Sequence, residues 1–444
     1  MTESTTRGRA RFGQVRHGRL THKNPIAAFF KIVGIALAVV LISTTSVAAI
    51  AAHDVLSSKK PTVHLAQLPG HTSTPLPSAP AGQTVGEVNM LVIGTDTRSG
   101  QGVYANKGDI AASSGAGNND VNILLHISSD HKSISVISIP RDLEVPMPAC
   151  PNASGGTTSA SSKDMINTAL ERGGNDQLGL QCAVLAVEKL TGVNIPYAAS
   201  VTFEGTAAIS TAVGGVTVCL ATPVIDRNVI PVLNLKAGET SLVGAQALAF
   251  LRSRHGVGDG SDLGRISNQQ VFMSALARQL VSSDTLTNPF KLYAIAKAAV
   301  SNSVTSDTLA SPTSLLGILQ AVKTVGLSNM VFLQYPTGAD PVNANRVVPN
   351  AYAAQQLNSA LQNDLPIQLT GGTGVGAEAP TGSTATPSAT TAPTTPSSTA
   401  TTPATTTPAT TAPTTGSGAT STVTLPPTVT GQTAAEQTCT KGNN

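Results

Sequence analysis

Residues 121–142 read VNILLHISSDHKSISVISIPRD. Two apolar runs, Val121–Ser128 and Ser133–Ile139, flank the polar turn Ser129-Asp130-His131-Lys132, a pattern that predicts two adjacent strands. The second run ends on Pro140-Arg141-Asp142, so a cation and an acid come directly after a strand. Upstream, Val88–Gly94 (VNMLVIG) is a further buried strand, followed by Thr95-Asp96-Thr97-Arg98. Downstream, helical patterns occupy Leu178–Leu190, Phe203–Val213, Ser241–Phe250, Ser267–Val281, Pro289–Val300 and Ser314–Val325. Val216–Leu220 and Met330–Gln334 add strands among them. Strands interleaved with helices predict a layered α/β/α sandwich around a central sheet.

This segment, residues 85–371, is one domain between two stretches of different composition. Residues 53–84 are rich in Pro, Ser, Thr and His and read as a linker. Residues 372–444 are dominated by Thr, Pro, Ala and Ser, with too few large apolar groups to offset ordering entropy, and read as a disordered spacer. From Ile32 to Ala52 run 21 uncharged residues, about 30 Å of helix and enough to cross a bilayer core. The basic segment 1–31, with seven Lys/Arg and one acid, is then cytoplasmic and the domain extracytoplasmic, in a single-pass protein of the cell membrane. A cleaved signal peptide is the competing reading, with Ala49-Ile50-Ala51 as the cleavage site.

Charge and composition exclude other classes. Beyond residue 31 the chain carries 20 basic and 23 acidic residues, so no broad basic footprint for nucleic acid exists. No Gly-X-Y period, Walker motif, nucleophile elbow or H-E-x-x-H is present. All four cysteines lie beyond the apolar run, and an even number in an exported region predicts disulfides. Spacing alone does not fix their connectivity. Cys150 and Cys182 lie close to two predicted elements and are expected to bridge them, leaving Cys219 and Cys439 by elimination.

Of nine Arg outside the leader, five sit in four short segments: Arg98, Arg141, Arg252 and Arg254, and Arg265 after Asp262. Arg grips phosphate in a planar, bidentate fork, and a sparse set of carboxylates beside phosphate is the Mg²⁺ pattern. With Asp96 and Asp120 on the same rim, the set suits a pyrophosphate with a divalent cation. For a single Arg–Asp pair, a surface ion pair is the plainer reading.

The order of segments carries a resemblance. VIGTDTRSG, NNDVNILLHIS, ISVISIPRDLEV, INTALERGG, VEKLTGV, AVGGVTVCL and LVGAQALAFLRSRHGVGDGSDLGRISNQQVF together resemble the LytR-CpsA-Psr family, in its actinobacterial form. The resemblance implies a membrane-anchored phosphotransferase that moves a glycopolymer from a polyprenyl-pyrophosphate carrier onto peptidoglycan. It also implies a mixed central sheet with a hydrophobic groove for the lipid. By position, Asp96 and Asp120 match the acids for Mg²⁺ (or Mn²⁺). Arg98, Arg141, Arg252, Arg254 and Arg265 match the arginines around the pyrophosphate, with Arg141, Asp142, Arg252 and Arg254 in the catalytic set. Asp262 and Gln269 match further pocket positions. Two departures stand out: Asn268-Gln269-Gln270 where the family commonly has Arg-Gln-Gln, and Asn119-Asp120-Val121 in place of Ser-Asp-Thr. They favour one alternative, a non-catalytic wall-associated protein of the same fold; a polyprenyl-pyrophosphate hydrolase, in which water replaces the sugar acceptor, is the other.

Overall fold

The computed structural model describes residues 60–71, 86–97, 117–282, 288–310, 312–380 and 422–443, together with 53, 54 and 57. The expected membrane helix at 32–52 and the basic segment 1–31 lie outside the described residues, as does Arg98. Among the described residues no helix is long and apolar enough to cross a membrane. The chain divides into units 1–54 and 55–444, and the two larger sheets, of seven and four strands, belong to the second.

Strand β1 (Val88–Thr95) pairs antiparallel with β2 (Asn119–Ile127), with Leu91 opposite Leu124, and β2 pairs antiparallel with β3 (Ile134–Ile139). On the other side of β1 lies β4 (Tyr197–Val201), parallel to it. Among the described residues, the α-helices beyond residue 86 are α1 (Ala169–Gly173), α2 (Asp176–Thr191), α3 (Phe203–Val213), α4 (Ala245–Arg252), α5 (Asp262–Ser282), α6 (Pro289–Ser301), α7 (Pro312–Val325) and α8 (Ala351–Gln362). The second sheet contains β5 (Val216–Leu220) and β8 (Gly238–Leu242), with the hairpin β6 (Val224–Asp226) and β7 (Leu233–Leu235) between them in sequence. Strands β9 (Ser303–Thr305), β10 (Met330–Gln334), β11 (Ala377–Glu378), β12 (Gly431–Thr433) and β13 (Cys439–Thr440) complete the two sheets. The first has the order β9-β4-β1-β2-β3-β10-β12, the second β8-β5-β13-β11.

Side-chain alternation on β1 explains the layers. Leu91 and Ile93 enter a core shared with Leu180, Val184 and Val187 of α2 and Leu357 of α8. Val88 and Met90 point to the opposite core, with Ile318 and Ala321 of α7 and Met273 of α5. Helices therefore cover both faces of a mixed sheet, as the strand–helix alternation predicts. Helix α2 starts where the Asn175 side chain accepts from the N–H groups of Gln177 and Leu178, and stops at Gly192 in the left-handed region.

Three expectations need correction. The helix expected over Ser241–Phe250 begins only at Ala245; its first residues finish β8, and Gly244 at φ 57°, ψ −126° separates the two. The linker expected over 53–84 is anchored at 60–71. Val63 and Leu65 are buried there, and Val63 exchanges backbone hydrogen bonds with Thr305 and Asp307. The tail expected to be disordered over 372–444 is structured at 372–380 and 422–443, where β11, β12 and β13 join the two sheets and Leu425 and Val429 enter the main core. Residues 381–421 lie outside the described residues. Both cysteine pairs form, Cys150 with Cys182 and Cys219 with Cys439. Compositional bias hides β13, which carries Cys439, because a two-residue strand needs almost no apolar sequence of its own when partners on both sides supply the pairing.

Candidate functional site

The ends of β1 and β3 and the start of β2 deliver Asp96, Arg141 and Asp120 to one rim of the sheet. Helix α5 starts against that rim. Between them lies a cavity of about 460 Å³, within the usual range for small-molecule sites. Asp96, Asp120, Arg141, Arg252, Arg254, Arg265 and Gln269 all line it. Sequence reading named every one of them.

The polar end is a network of ion pairs. Arg141 Nη1 donates to both Asp120 oxygens at 3.1 Å, and its Nε stands 3.5 Å from Asp142 and from Asp262. Arg265 Nη2 reaches Asp262 at 2.6 Å and donates to the Asp120 carbonyl at 2.9 Å. Burial works against the Arg141 charge, but Asp120, Asp262 and Asp142 outweigh it and raise the pKa. Asp262, 7% exposed, shows the opposite balance: burial raises its pKa despite Arg265 and Arg141. Neither Asp142 nor Asp262 lines the cavity. They stand behind Arg141 and hold its guanidinium in place. Arg141 Nη2 makes no hydrogen bond to a described residue, which leaves that edge for a ligand.

Polarity reverses along α5. Arg265 and Gln269 line the cavity first, then Phe272, Met273 and Leu276. At about 1.5 Å per residue this face runs roughly 16 Å from guanidinium to apolar side chains. Helix α3 contributes Phe203, Ile209 and Val213 opposite, and β1 and β2 contribute Val92 and Ile123. The cavity thus has a charged end and an apolar end.

The backbone between Arg252 and Arg254 is extended at Ser253, so both arginines reach the cavity although Arg252 ends a helix. The Arg252 guanidinium also lies 4.2 Å from the centre of the Phe203 ring, a cation–π contact. Asp226, at the end of β6 and 2% exposed, fixes this turn. Its carboxylate accepts from Asn228 N at 2.8 Å, Ser253 Oγ at 2.7 Å and Gly256 N at 3.2 Å. Burial opposes its charge, but those bonds prevail and its pKa is lowered. Sequence reading missed Asp226 and Phe203; the only local signal was Asp226-Arg227, indistinguishable from a surface pair. Near Asp96, Gly117 has φ +70°, and a Cβ there would meet Thr97 N at 2.6 Å and Asp96 Oδ1 at 2.7 Å. Asn118 N donates to the same Asp96 oxygen at 2.6 Å.

The two departures from the resembled pattern have structural explanations. Asn268 is 0% exposed and does not line the cavity; it donates to the Phe250 carbonyl and accepts from Thr440 Oγ1, both at 2.8 Å. Asn119 donates to Asn122 Oδ1 and the Ile166 carbonyl and accepts from Leu170 N, tying β2 to the start of α1.

Comparison with known proteins gives a match to the model of the LytR_cpsA_psr family over residues 39–364. Among curated relatives, "Cell wall biosynthesis protein LcpA" of Corynebacterium glutamicum is 33% identical over 234 residues, 49% of this chain and 45% of that protein. "Polyisoprenyl-teichoic acid--peptidoglycan teichoic acid transferase TagV" of Bacillus subtilis is 27% identical over 269 residues, 59% of this chain and 62% of that protein. The chain spans about half the length of the curated relatives it matches. The crystal structure of B. subtilis TagV aligns with TM-score 0.49 at 24% identity, covering 64% of this chain and 98% of that one. The LytR-Csp2A-Psr enzyme from Actinomyces oris aligns with TM-score 0.45 at 21% identity, covering 68% and 96%.

Proposed function

The chain belongs to the LytR_cpsA_psr family, and from that premise we propose that it is a phosphotransferase of cell-wall assembly, moving a glycopolymer from a polyprenyl-pyrophosphate carrier onto peptidoglycan. The reversal of polarity along α5 carries this reading. A pyrophosphate fits among Arg141, Arg254 and Arg265, and a polyprenyl chain fits the apolar face beyond Gln269. The relatives' printed names, a cell-wall biosynthesis protein and a teichoic acid transferase to peptidoglycan, support it.

In the proposed step an acceptor hydroxyl of peptidoglycan attacks the phosphorus bonded to the glycan. The pyrophosphate P–O bond breaks, the hydroxyl proton passes to solvent, and polyprenyl phosphate departs. The guanidinium groups offset the negative charge that grows on the leaving phosphate, and Asp120, Asp142 and Asp262 hold Arg141 oriented before the substrate arrives. Asp96 and Asp120 offer only carboxylate oxygens, the donor set of Mg²⁺, and backbone crowds close to Asp96 at Gly117. These two acids would hold the ion, which when bound supplies further neutralisation of the pyrophosphate. Anchoring by residues 32–52 places the cavity on the outer side of the membrane in this reading.

The non-catalytic alternative drew on the missing threonine at position 121, where Val121 lines the cavity, and on the missing arginine at position 268. That position faces Phe250 and Thr440, away from the cavity, so the departure takes nothing from the site. The deciding experiment incubates the protein with lipid-linked glycan and peptidoglycan, and scores ligated and free glycan separately. Ligation that requires Mg²⁺ and disappears in Asp96→Ala and Asp120→Ala, with folded circular dichroism spectra, is expected. Release of free glycan without ligation would replace the transferase by a hydrolase.

A further inference from the structure

A second cluster of chemistry-bearing side chains lies at the other end of the sheet. Glu87, immediately before β1, His126 on β2 and Asp364 after α8 each present a ligand atom, all within 4.8 Å of one another. His126 neighbours Asn89 across β1 and β2, seven residues from Asp96 along the chain, or roughly 23 Å from the cavity rim at about 3.3 Å per residue.

The hydrogen bonds fix the tautomer of His126, which is 1% exposed. Asn89 turns its Nδ2 to the Asn194 carbonyl at 2.9 Å and to Glu87 Oε1 at 3.4 Å, so its Oδ1 is an acceptor. His126 Nδ1 lies 2.8 Å from that oxygen and must carry the hydrogen. In the neutral ring, Nε2 is then a bare lone pair. It stands 3.2 Å from Asp364 Oδ1, and neither atom has a hydrogen-bond partner among the described residues. Two buried acceptors facing each other repel unless positive charge lies between them. Asp364 is also held from behind, its Oδ2 accepting from Ser129 N at 2.9 Å and from Ser129 Oγ. Outer partners thus orient both residues and leave one ligand atom of each aimed at a common point, as around a bound metal.

We propose that Glu87, His126 and Asp364 bind a divalent transition-metal ion of the Zn²⁺ class, with solvent completing its coordination. Ligand atoms about 2.0–2.1 Å from a tetrahedral ion stand roughly 3.3 Å apart, close to the 3.2 Å between His126 Nε2 and Asp364 Oδ1. The imidazole nitrogen separates this site from the all-carboxylate pair in the cavity, which suits Mg²⁺. The ion joins three segments distant in sequence: the entry to β1, the end of β2 and the turn after α8. It is a staple of the domain, independent of the transfer reaction.

The test uses the tag-free full-length protein in detergent, stripped with chelator and dialysed. Zn²⁺ is titrated in, bound metal is counted by mass spectrometry, and thermal unfolding is followed in parallel. Asp364→Asn and Glu87→Gln are the variants; Asn also tolerates the positive φ of 54° at position 364. The expected result is one more equivalent of Zn²⁺ in the wild type than in Asp364→Asn. Affinity should fall at least tenfold in both variants, and the Zn²⁺-induced rise in unfolding temperature should be lost. Asp96→Ala should keep that equivalent. If a proton is the only occupant, as in an imidazolium–carboxylate pair, wild type and Asp364→Asn take up equal Zn²⁺, and the proposal is overturned.

Discussion

Arg254→Lys separates a pyrophosphate grip from a surface charge. Arg254 lines the cavity, and its only side-chain hydrogen bond to a described residue runs from Nε to the Gly260 carbonyl at 3.3 Å. Both Nη groups are left for a ligand. Lysine keeps the positive charge but presents a single ammonium where the guanidinium offers a fork. The loss on binding is therefore about one charge-assisted hydrogen bond, roughly 1.5–3 kcal/mol, or about ten- to a hundredfold in Kd. The loss on folding is confined to the Nε bond, about 0.5–1.5 kcal/mol. Arg141→Lys would be a poorer probe, because Arg141 meets Asp120, Asp142 and Asp262 and its replacement moves folding and binding together. The assay is calorimetric titration of a short-chain polyprenyl pyrophosphate in Mg²⁺ buffer. Arg172→Lys is the control: Arg172 pairs with Asp164 at 3.1 Å, donates to the Ser159 carbonyl and stands outside the cavity. Affinity of Arg254→Lys within twofold of wild type, or an equal loss in Arg172→Lys, would refute the reasoning.

Three other substitutions probe the bracing around the site. Asp226→Asn should destabilise the protein by roughly 2–4 kcal/mol in urea, because one amide oxygen replaces two carboxylate oxygens accepting from three donors. Since the folded pKa of Asp226 is lowered, its contribution is present above the unfolded carboxylate pKa and fades as pH falls through the folded value. The urea midpoints of wild type and Asp226→Asn should therefore converge in acid and differ most near neutrality. Cys439→Ser should cost about 5 kcal/mol by the chain-entropy model, given 220 residues between Cys219 and Cys439; unchanged unfolding in reductant would contradict it. Asn268→Arg, which restores the residue common in the resembled pattern, should lower the unfolding temperature and add no activity, because position 268 is buried against Phe250 and Thr440.

What the sequence disclosed depends on how far each element's cause reaches along the chain. Strands β1 to β3 are continuous apolar runs paired with their neighbours, and their ends stand within a residue or two of expectation. The cavity arginines were legible because rare charges cluster in a few short segments of a chain with only 11% charged residues. Strand β4, YAASV, was not legible, since small apolar residues fit helix and strand alike and only pairing with β1 and β9 decides. Asp226 was illegible for a related reason: its donors come from residues up to thirty positions away.

The largest gap was the C-terminal segment, and its contacts explain why a polar stretch is ordered. Helix α5 turns Arg265 and Gln269 to the cavity, and its other side is held by residues 432–440. Gln432 donates to the Gln270 carbonyl and Ser274 Oγ, Thr440 donates to Asn268, and Arg278 reaches the carbonyls of Ala434 and Glu436. Beyond the disulfide, Gly258 N donates to the Lys441 carbonyl, and Asn443 bonds to Gly256 and His255. Those last contacts grip the loop that carries Arg254. Order here comes from hydrogen bonds to elements already in place, so low hydrophobicity does not exclude it. The few polar side chains set among the Thr, Pro, Ala and Ser of this segment, Gln432, Thr440 and Asn443, supply donors and acceptors that brace the helix and loop carrying the guanidinium groups of the site.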